Sequence, residues 1–420
     1  MNKPKIRFKG FEGEWKEMQF EVAFEYQRNN SLSRAELSDE GIVANIHYGD
    51  VLIKYGECLD VSKDVLTYVK DKKISMALYK KGALRNGDVI FADAAEDNTV
   101  GKCTEVICEE NVCIVSGLHT IACRPQVEFV ERYLGYSLNS PSFHNQLLPH
   151  IQGTKISSIS KNALSSTSIS LPSLPEQRAI ASYFTSLDAQ IAASTSRLSS
   201  LKQIKAASLL NMFPQKGETV PRVRFKGFEG EWNLPSIEDV FEIRNGYTPS
   251  KSVESYWIGG TIPWFRMEDI RASGGFLEDS IQHITPQAVK NNGLFEKGSI
   301  IMATTATIGV HAQLIADSLA NQRFTNFLIR KSLRERIIAK YVYYAFFGID
   351  EWAIKNTNSG GLLSVNMPLL LKQPFFVPSL PEQRAIASYF TALDAQITLH
   401  RERLEKLKQI KAACLEKMFA

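Results

Sequence analysis

Asp93, Glu96 and Asp97 lie close together in the chain and are followed shortly by Lys102. Clustered carboxylates with a nearby lysine are the ingredients of a metal-dependent nuclease. The same spacing also suits a polar loop after a strand, and a carboxylate there can accept from the N4 amine of cytosine. His47 and His119 read either as base contacts or as ordinary structural histidines. The second half of the chain holds different chemistry in Lys251, Arg266, Asn321, Gln322 and Arg323. Arginine matches the acceptor edge of guanine, and asparagine or glutamine the mixed edge of adenine. Thr304 and Thr305 can meet a phosphate or a thymine methyl, or simply belong to a strand. Tyr247 and Thr248 can lie on the same face or pack in the turn before Pro249. Lys54 and Lys155 add positive charge to the candidates of the first half.

Other chemistries lack their motifs. No Asn-Pro dipeptide occurs, so the Asn-Pro-Pro-type motif of adenine methyltransferases is absent. Gly101-Lys102-Cys103 lacks both the upstream glycine and the Ser/Thr of a phosphate-binding loop. The six cysteines include no C-x-x-C pair and have no neighbouring histidine pair, so free thiols in a reducing cytosol are expected. The opening MNKPKIRFKGFEGEW has no apolar core and does not read as a signal peptide, and no apolar run is long enough to span a membrane. A cytoplasmic protein is expected. With 44% hydrophobic and 22% charged residues the chain can bury a sizeable core. Its formal net charge of +4 is compatible with nucleic-acid binding without arguing for it. If the chain grips DNA, partners must supply part of the phosphate neutralisation.

The elements that position these residues are announced by a repeat. LPEQRAIASYFTSLDAQI at 174–191 returns at 380–397 with one change, Ser186 against Ala392, and RFKGFEGEW at 7–15 returns at 224–232. The segments between these frames are unlike. Pro175 and Pro381 suit a first helical position, and Glu176 and Glu382 favour the helix dipole. Apolar residues recur at Ile180, Phe184, Leu187, Ile191, Leu198 and Leu201, and again at Ile386, Phe390, Leu393, Ile397, Leu404 and Leu407. This spacing is a coiled-coil seam. From Pro175 to Phe213, before Pro214, is about 39 residues or about 58 Å of helix. Two such helices can bury each other's seams as an antiparallel pair, and core packing there outweighs partner binding as the role of Phe184, Leu187, Phe390 and Leu393. The inserts read as α/β modules. VLIKYGECL, GDVIFADA, GSIIMATTATIGV and FTNFLIR predict strands, and KYVYYAFFG a buried helix or strand. The basic leads, Lys5, Arg7 and Lys9 with Arg222, Arg224 and Lys226, suit phosphates, solvent or a partner protein alike.

Together these features resemble the specificity subunit of type I restriction–modification systems, over essentially the whole chain. The most specific string is SLPEQRAIASYFTSLDAQI with its second copy. GYTPS (246–250), IPWFRMEDI (262–270), KGSIIMATTATIG (297–309), GDVIFADAAED (87–97) and SGLHTIACRP (116–125) resemble motifs of recognition domains. QGTKISSISKNAL (152–164) and SGGLLSVNMPLL (359–370) resemble the lead into the long helix. The resemblance implies two target recognition domains of α/β (α+β) type, joined by two long helices packed as an antiparallel coiled coil with a pseudo-two-fold internal repeat. Expected boundaries are 1–165 for the lead and first recognition domain, 166–214 for the central helix, 215–370 for a linker and the second recognition domain, and 371–420 for the last helix. It further implies a non-catalytic subunit that reads a bipartite, asymmetric double-stranded DNA site. The helices would set the spacer and dock two modification (methyltransferase) subunits, with restriction (motor) subunits as further partners. No cofactor is expected in this chain; S-adenosylmethionine belongs to the methyltransferase partners. Two other classes compete: a coiled-coil scaffold without DNA readout, which has no need of two large unlike inserts, and a metal-dependent nuclease built on the Asp93 cluster.

Overall fold

The computed structural model describes residues 3–109, 111–153, 155–358 and 362–419. Thr154 of the first lead-in motif and Ser359–Gly361 of the second lie outside the described residues. The chain divides into two units, Met1–Thr195 with Glu402–Ala420, and Ser196–Arg401.

In the first unit the strands that frame the site include β1 (Phe24–Tyr26), β2 (Ala44–Ile46), β3 (Cys58–Asp60), β4 (Tyr68–Val69), β5 (Val89–Ala92), β6 (Ala94–Ala95), β7 (Cys103–Ile107), β8 (Ile114–Ser116), β9 (Thr120–Pro125) and β10 (Ser157–Ser158). The helices that matter for the site are α1 (Tyr48–Ile53), α2 (Tyr133–Leu138) and the long α3 (Leu174–Asn211). A five-stranded sheet runs β1-β9-β5-β7-β3, antiparallel except for the parallel pair β3–β7. A smaller sheet centres on β2, parallel to β8 and antiparallel to β4. The uninterrupted apolar run Val89–Ala92 is buried on both faces, and its period of two divides the core. Val89 and Phe91 face Trp15, Phe20, Tyr133 and Phe184; Ile90 and Ala92 face Ile46, Val51 and Tyr55.

The second unit contains β11 (Phe241–Asn245), β12 (Ile262–Phe265), β13 (Phe276–Leu277), β14 (His283–Ile284), β15 (Ile300–Ala303), β16 (His311–Leu314), β17 (Leu319–Ala320) and β18 (Phe324–Ile329). Its helices include α4 (Met267–Ala272), α5 (Ala339–Lys355) and the long α6 (Leu380–Lys417). The main sheet runs β11-β18-β15-β16-β13, again antiparallel except for the outer pair β13–β16. β12 pairs in parallel with β17 and antiparallel with β14. Unlike sequences thus build the same strand order. The central strand divides its core in the same way, Ile300 and Met302 to one side, Ile301 and Ala303 to the other.

The expected architecture of two mixed modules on two long helices is what the structure has. Within each unit the start of one long helix meets the end of the other, so the pairing is antiparallel. In the first unit the Phe184 ring stacks on Tyr136 (4.9 Å) and Phe419 (5.9 Å); in the second Phe390 stacks on Tyr344 (5.0 Å) and Phe213 (6.2 Å). Burying each ring contributes about 2–3 kcal/mol. Of the seam residues, Ile180, Phe184, Leu187, Leu201, Ile386, Phe390, Leu393 and Leu404 are buried, and Ile191, Leu198, Ile397 and Leu407 are partly covered. The seven-residue step from Ile191 to Leu198 is filled by Ser194, which is buried.

Local expectations change at three places. Val51–Ile53, expected as strand, belongs to helix α1, because His47 caps its start and Asp50 is tied to Arg34 by a bidentate pair at 2.7 and 2.8 Å. The strand expected over GSIIMATTATIGV ends at Ala303, and the backbone turns away at Ala306 (φ 68) and Gly309 (φ 81). KYVYYAFFG lies in a helix, α5, whose buried face includes Tyr341, Tyr344 and Phe346.

Candidate nucleic-acid interface

In the first module three backbone bonds gather one corner. Gly117 N donates to Ile46 O (2.8 Å), Tyr48 N to Leu118 O (3.2 Å) and Asp93 N to His119 O (3.1 Å). The ends of β2 and β5 and the start of β9 thereby bring His47, Asp93 and His119 together. His119 holds a left-handed backbone (φ 53), an uncommon state for a non-glycine residue. Its Nδ1 lies 3.2 Å from Asp93 Oδ1, and its ring stands edge-on to Tyr48 at 5.4 Å. The His119 side chain is 53% exposed and that of Asp93 25%. Burial raises the Asp93 carboxyl above its ordinary range, opposed by His119. His47 is different. It is buried, and its Nδ1 accepts from Gly49 N (3.2 Å) as the N-cap of α1. Burial, with the nearby Arg34 charge, lowers its pKa and favours the neutral ring. Sequence reasoning missed Tyr48, whose ring also lies 4.6 Å from that of His47. The signal was its place beside His47 at a helix start.

The carboxylate cluster does not converge. Asp97 turns to the backbone and hydroxyl of Thr99 (2.9 and 2.5 Å). Lys102 Nζ donates to Leu52 O (2.9 Å) and Tyr55 O (3.1 Å), satisfying the last turn of α1. Among the described residues no three His, Cys, Asp or Glu side chains stand close enough to share a metal ion. Glu96 and Lys155 are exposed beyond adjoining ends of the β6–β10 ladder, and Lys54 is exposed after α1 with Nζ 5.5 Å from the Tyr55 ring.

The second module builds the matching corner. Asn321 N donates to Phe265 O (3.1 Å) and Thr304 N to Arg323 O (3.0 Å), like Gly117 and Asp93 in the first module, and Tyr247 N adds a bond of its own to Ala320 O (2.9 Å). Arg266, Thr304 and Arg323 occupy the places of His47, Asp93 and His119. Thr304 is buried with Oγ1 bonded to Thr325 Oγ1 (2.8 Å), so it faces the core. Arg323 is exposed, and its guanidinium has no hydrogen-bond or ion-pair partner among the described residues. Asn321 Oδ1 accepts from Arg323 N (2.9 Å) and holds the turn, while Gln322 bonds Thr248. Arg266 is partly exposed, with Nε 3.8 Å from Glu268 Oε2. The Tyr247 hydroxyl donates to Ala288 O (3.1 Å) and accepts from Lys290 N (2.9 Å), which anchors that ring within the module. Thr305 is half-buried at a bridge to Ser364, and Lys251 is exposed with no hydrogen bond or ion pair to the corner among the described residues.

The repeated frame is bound to its own modules. Arg7 grips the buried Glu176 through Nε (2.6 Å) and Nη2 (2.7 Å) and also donates to Gly13 O (2.6 Å); Arg224 repeats this on Glu382 (2.6 and 2.8 Å) and Gly230 O (2.7 Å). Two of the basic lead residues are therefore internal clasps. Gln177 Oε1 accepts from Val130 N and Gln383 Oε1 from Ile338 N, both at 3.0 Å. Asp188 accepts from Tyr136 (2.7 Å) and pairs with Lys411 (2.6 Å); Asp394 accepts from Tyr344 (3.0 Å) and pairs with Lys205 (2.6 Å).

A family model described as the type I restriction modification DNA specificity domain matches residues 12–203 and again 229–409. The chain belongs to this family. In this specificity-domain protein each match takes in one module and most of the long helix that follows it. The chain is 45% identical over 152 residues to the specificity subunit of the type I restriction enzyme EcoprrI from Escherichia coli, an alignment covering 36% of this chain and 37% of that one. It is 29% identical over 188 residues to the MjaIX specificity subunit of Methanocaldococcus jannaschii, covering 43% and 42%. These alignments span less than half the length of either curated relative. Among solved structures, the S subunit of a type I restriction–modification system from M. genitalium shares the fold over 100% of this chain and 99% of its own, with a TM-score of 0.57 at 14% identity. No helix among the described residues is long and apolar enough to cross a membrane.

Proposed function

We propose that this specificity-domain chain reads DNA for a type I restriction–modification complex, each module taking one half of a bipartite, asymmetric double-stranded site. The observation that carries this reading is that one strand order, held by one repeated frame, presents unlike side chains at matching corners. Unlike readers on like supports suit a site that is not a palindrome. The chain itself performs no chemistry in this scheme. Two modification subunits would bring S-adenosylmethionine and methylate adenine, and restriction subunits would act with them in the cytoplasm. Docking of two like subunits is supported by the outer face of the repeat. Arg178, Ser182, Ala189 and Gln190 are exposed, as are their identical counterparts Arg384, Ser388, Ala395 and Gln396, and packing inside the units does not require that identity.

A module exchange tests the reading. Replacing residues 233–370 by the corresponding insert of another family member should change one half of the methylated site and leave the other intact, as read by single-molecule sequencing of genomic DNA. A change in both halves would refute modular reading. Methyl transfer or DNA cleavage by the purified chain alone would refute the non-catalytic role.

A further inference from the structure

Residues 119 and 323 sit at the same place in two modules whose sequences there have nothing in common. The match rests on the backbone. Each residue's carbonyl takes the N–H of the residue just after the central strand, Asp93 N to His119 O (3.1 Å) and Thr304 N to Arg323 O (3.0 Å). That residue in turn accepts from the lead-in segment, from Ile159 N (3.0 Å) in one module and Val365 N (2.9 Å) in the other. Two residues before each, Gly117 and Asn321 donate to the last residue of the neighbouring small-sheet strand. Three bonds from three separate segments thus place the two positions alike.

The groups exposed at the two corners differ. In the first module His119 is exposed, pinned in a left-handed backbone and set against Asp93, whose Oδ1 meets its ring and whose Oδ2 has no partner among the described residues. That corner offers an acceptor. In the second module the residue just after the strand, Thr304, turns inward, and the exposed group is the unpaired Arg323 guanidinium. That guanidinium offers only donors, in a planar fork that matches the two acceptors O6 and N7 of guanine.

We propose that these matched positions set the base class of each half-site: Arg323 takes the guanine of a G·C pair in one half, and Asp93, oriented by His119, accepts from the exocyclic amine of cytosine or adenine in the other. The assignment rests on the DNA-reading function proposed above and names the groups that carry it.

The test uses the full chain assembled with its modification subunits, mixed with a randomised duplex library, and the bound pool is sequenced. The Arg323→Gln complex should lose preference at one G·C pair in one half-site by about tenfold or more. Arg323→Lys should lose it too, since lysine keeps the charge but not the fork. Asp93→Asn should relax one position in the opposite half only. Unchanged preferences in Arg323→Gln, full retention by Arg323→Lys, both substitutions acting on the same half, or a variant pool with neither half-site would each overturn the assignment. A bipartite wild-type pool with unchanged variants overturns this inference alone. A wild-type pool with no bipartite site overturns the reader function and this inference with it.

Discussion

Glu105 shows how a single buried group can make the first unit sensitive to pH. It accepts from Arg132 N (2.6 Å) and Gly135 N (2.8 Å) at the start of α2 and is almost wholly buried. Burial pushes its pKa up to about 7, with the two N–H bonds acting in the opposite direction. A raised carboxyl pKa means that the folded state holds a proton the unfolded chain has already released. Its contribution is therefore fully present below the unfolded value near 4.5 and is lost as pH rises toward 7, by about 1.4 kcal/mol per pH unit. Denaturant midpoints measured from pH 5 to 8 should fall, and Glu105→Gln should flatten that slope; an equal slope in the variant would show that another group is responsible. None of this was legible in CTEVI, because alternation marks a strand and does not say what its acidic side chain meets. The same limit applied to Asp93 and Lys102. Their closeness in sequence suggested one site, and the strand pairing sent the lysine to the end of α1 and the carboxylate to His119.

At the scale of elements, the long helices were the most legible part of the chain. Their seam, their opening prolines and their length recur over many residues, so local errors cancel. What the repeat was for was less legible. Glu176 and Glu382 were expected to favour the helix dipole, and they are also buried anchors for Arg7 and Arg224 at 2.6 Å. Arg7→Ala should leave Glu176 without its counterion and destabilise the first unit by about 3 kcal/mol, less whatever the helix dipole retains. Because the Arg224 clasp is untouched, calorimetry should show the first unit's transition lowered and the second's in place. Coincident, unshifted transitions would mean that the clasp is dispensable. The α1 segment shows the reverse case. VLIKYG has the composition of a strand, and the His47 cap with the Arg34–Asp50 pair holds it helical. Those partners lie outside the window that a propensity argument can see.

For the molecule as a whole, both long helices run from one unit into the other, α3 leaving the first and α6 returning to it. If the helices set the spacer as proposed, both must be lengthened to change it. Seven residues inserted after Thr195 and seven after Arg401 add about 10 Å of helix, about three base pairs at 3.4 Å each. The methylated site should then gain about three unread base pairs with both half-sites retained, as read by single-molecule sequencing. A spacer of unchanged length would remove the helices as the ruler. By itself the sequence determined that there are two frames, that long helices carry them, that the modules between differ, and which family this pattern resembles. Repeats and periodicities are properties of the chain and survive without coordinates. Only the tertiary structure decided that His47 caps a helix while His119 faces outward, that Thr304 turns inward while Arg323 stays free, and that these positions correspond at all. Each corner is assembled from strand ends far apart in the chain, and a one-residue change of register would send every one of those side chains to the opposite face.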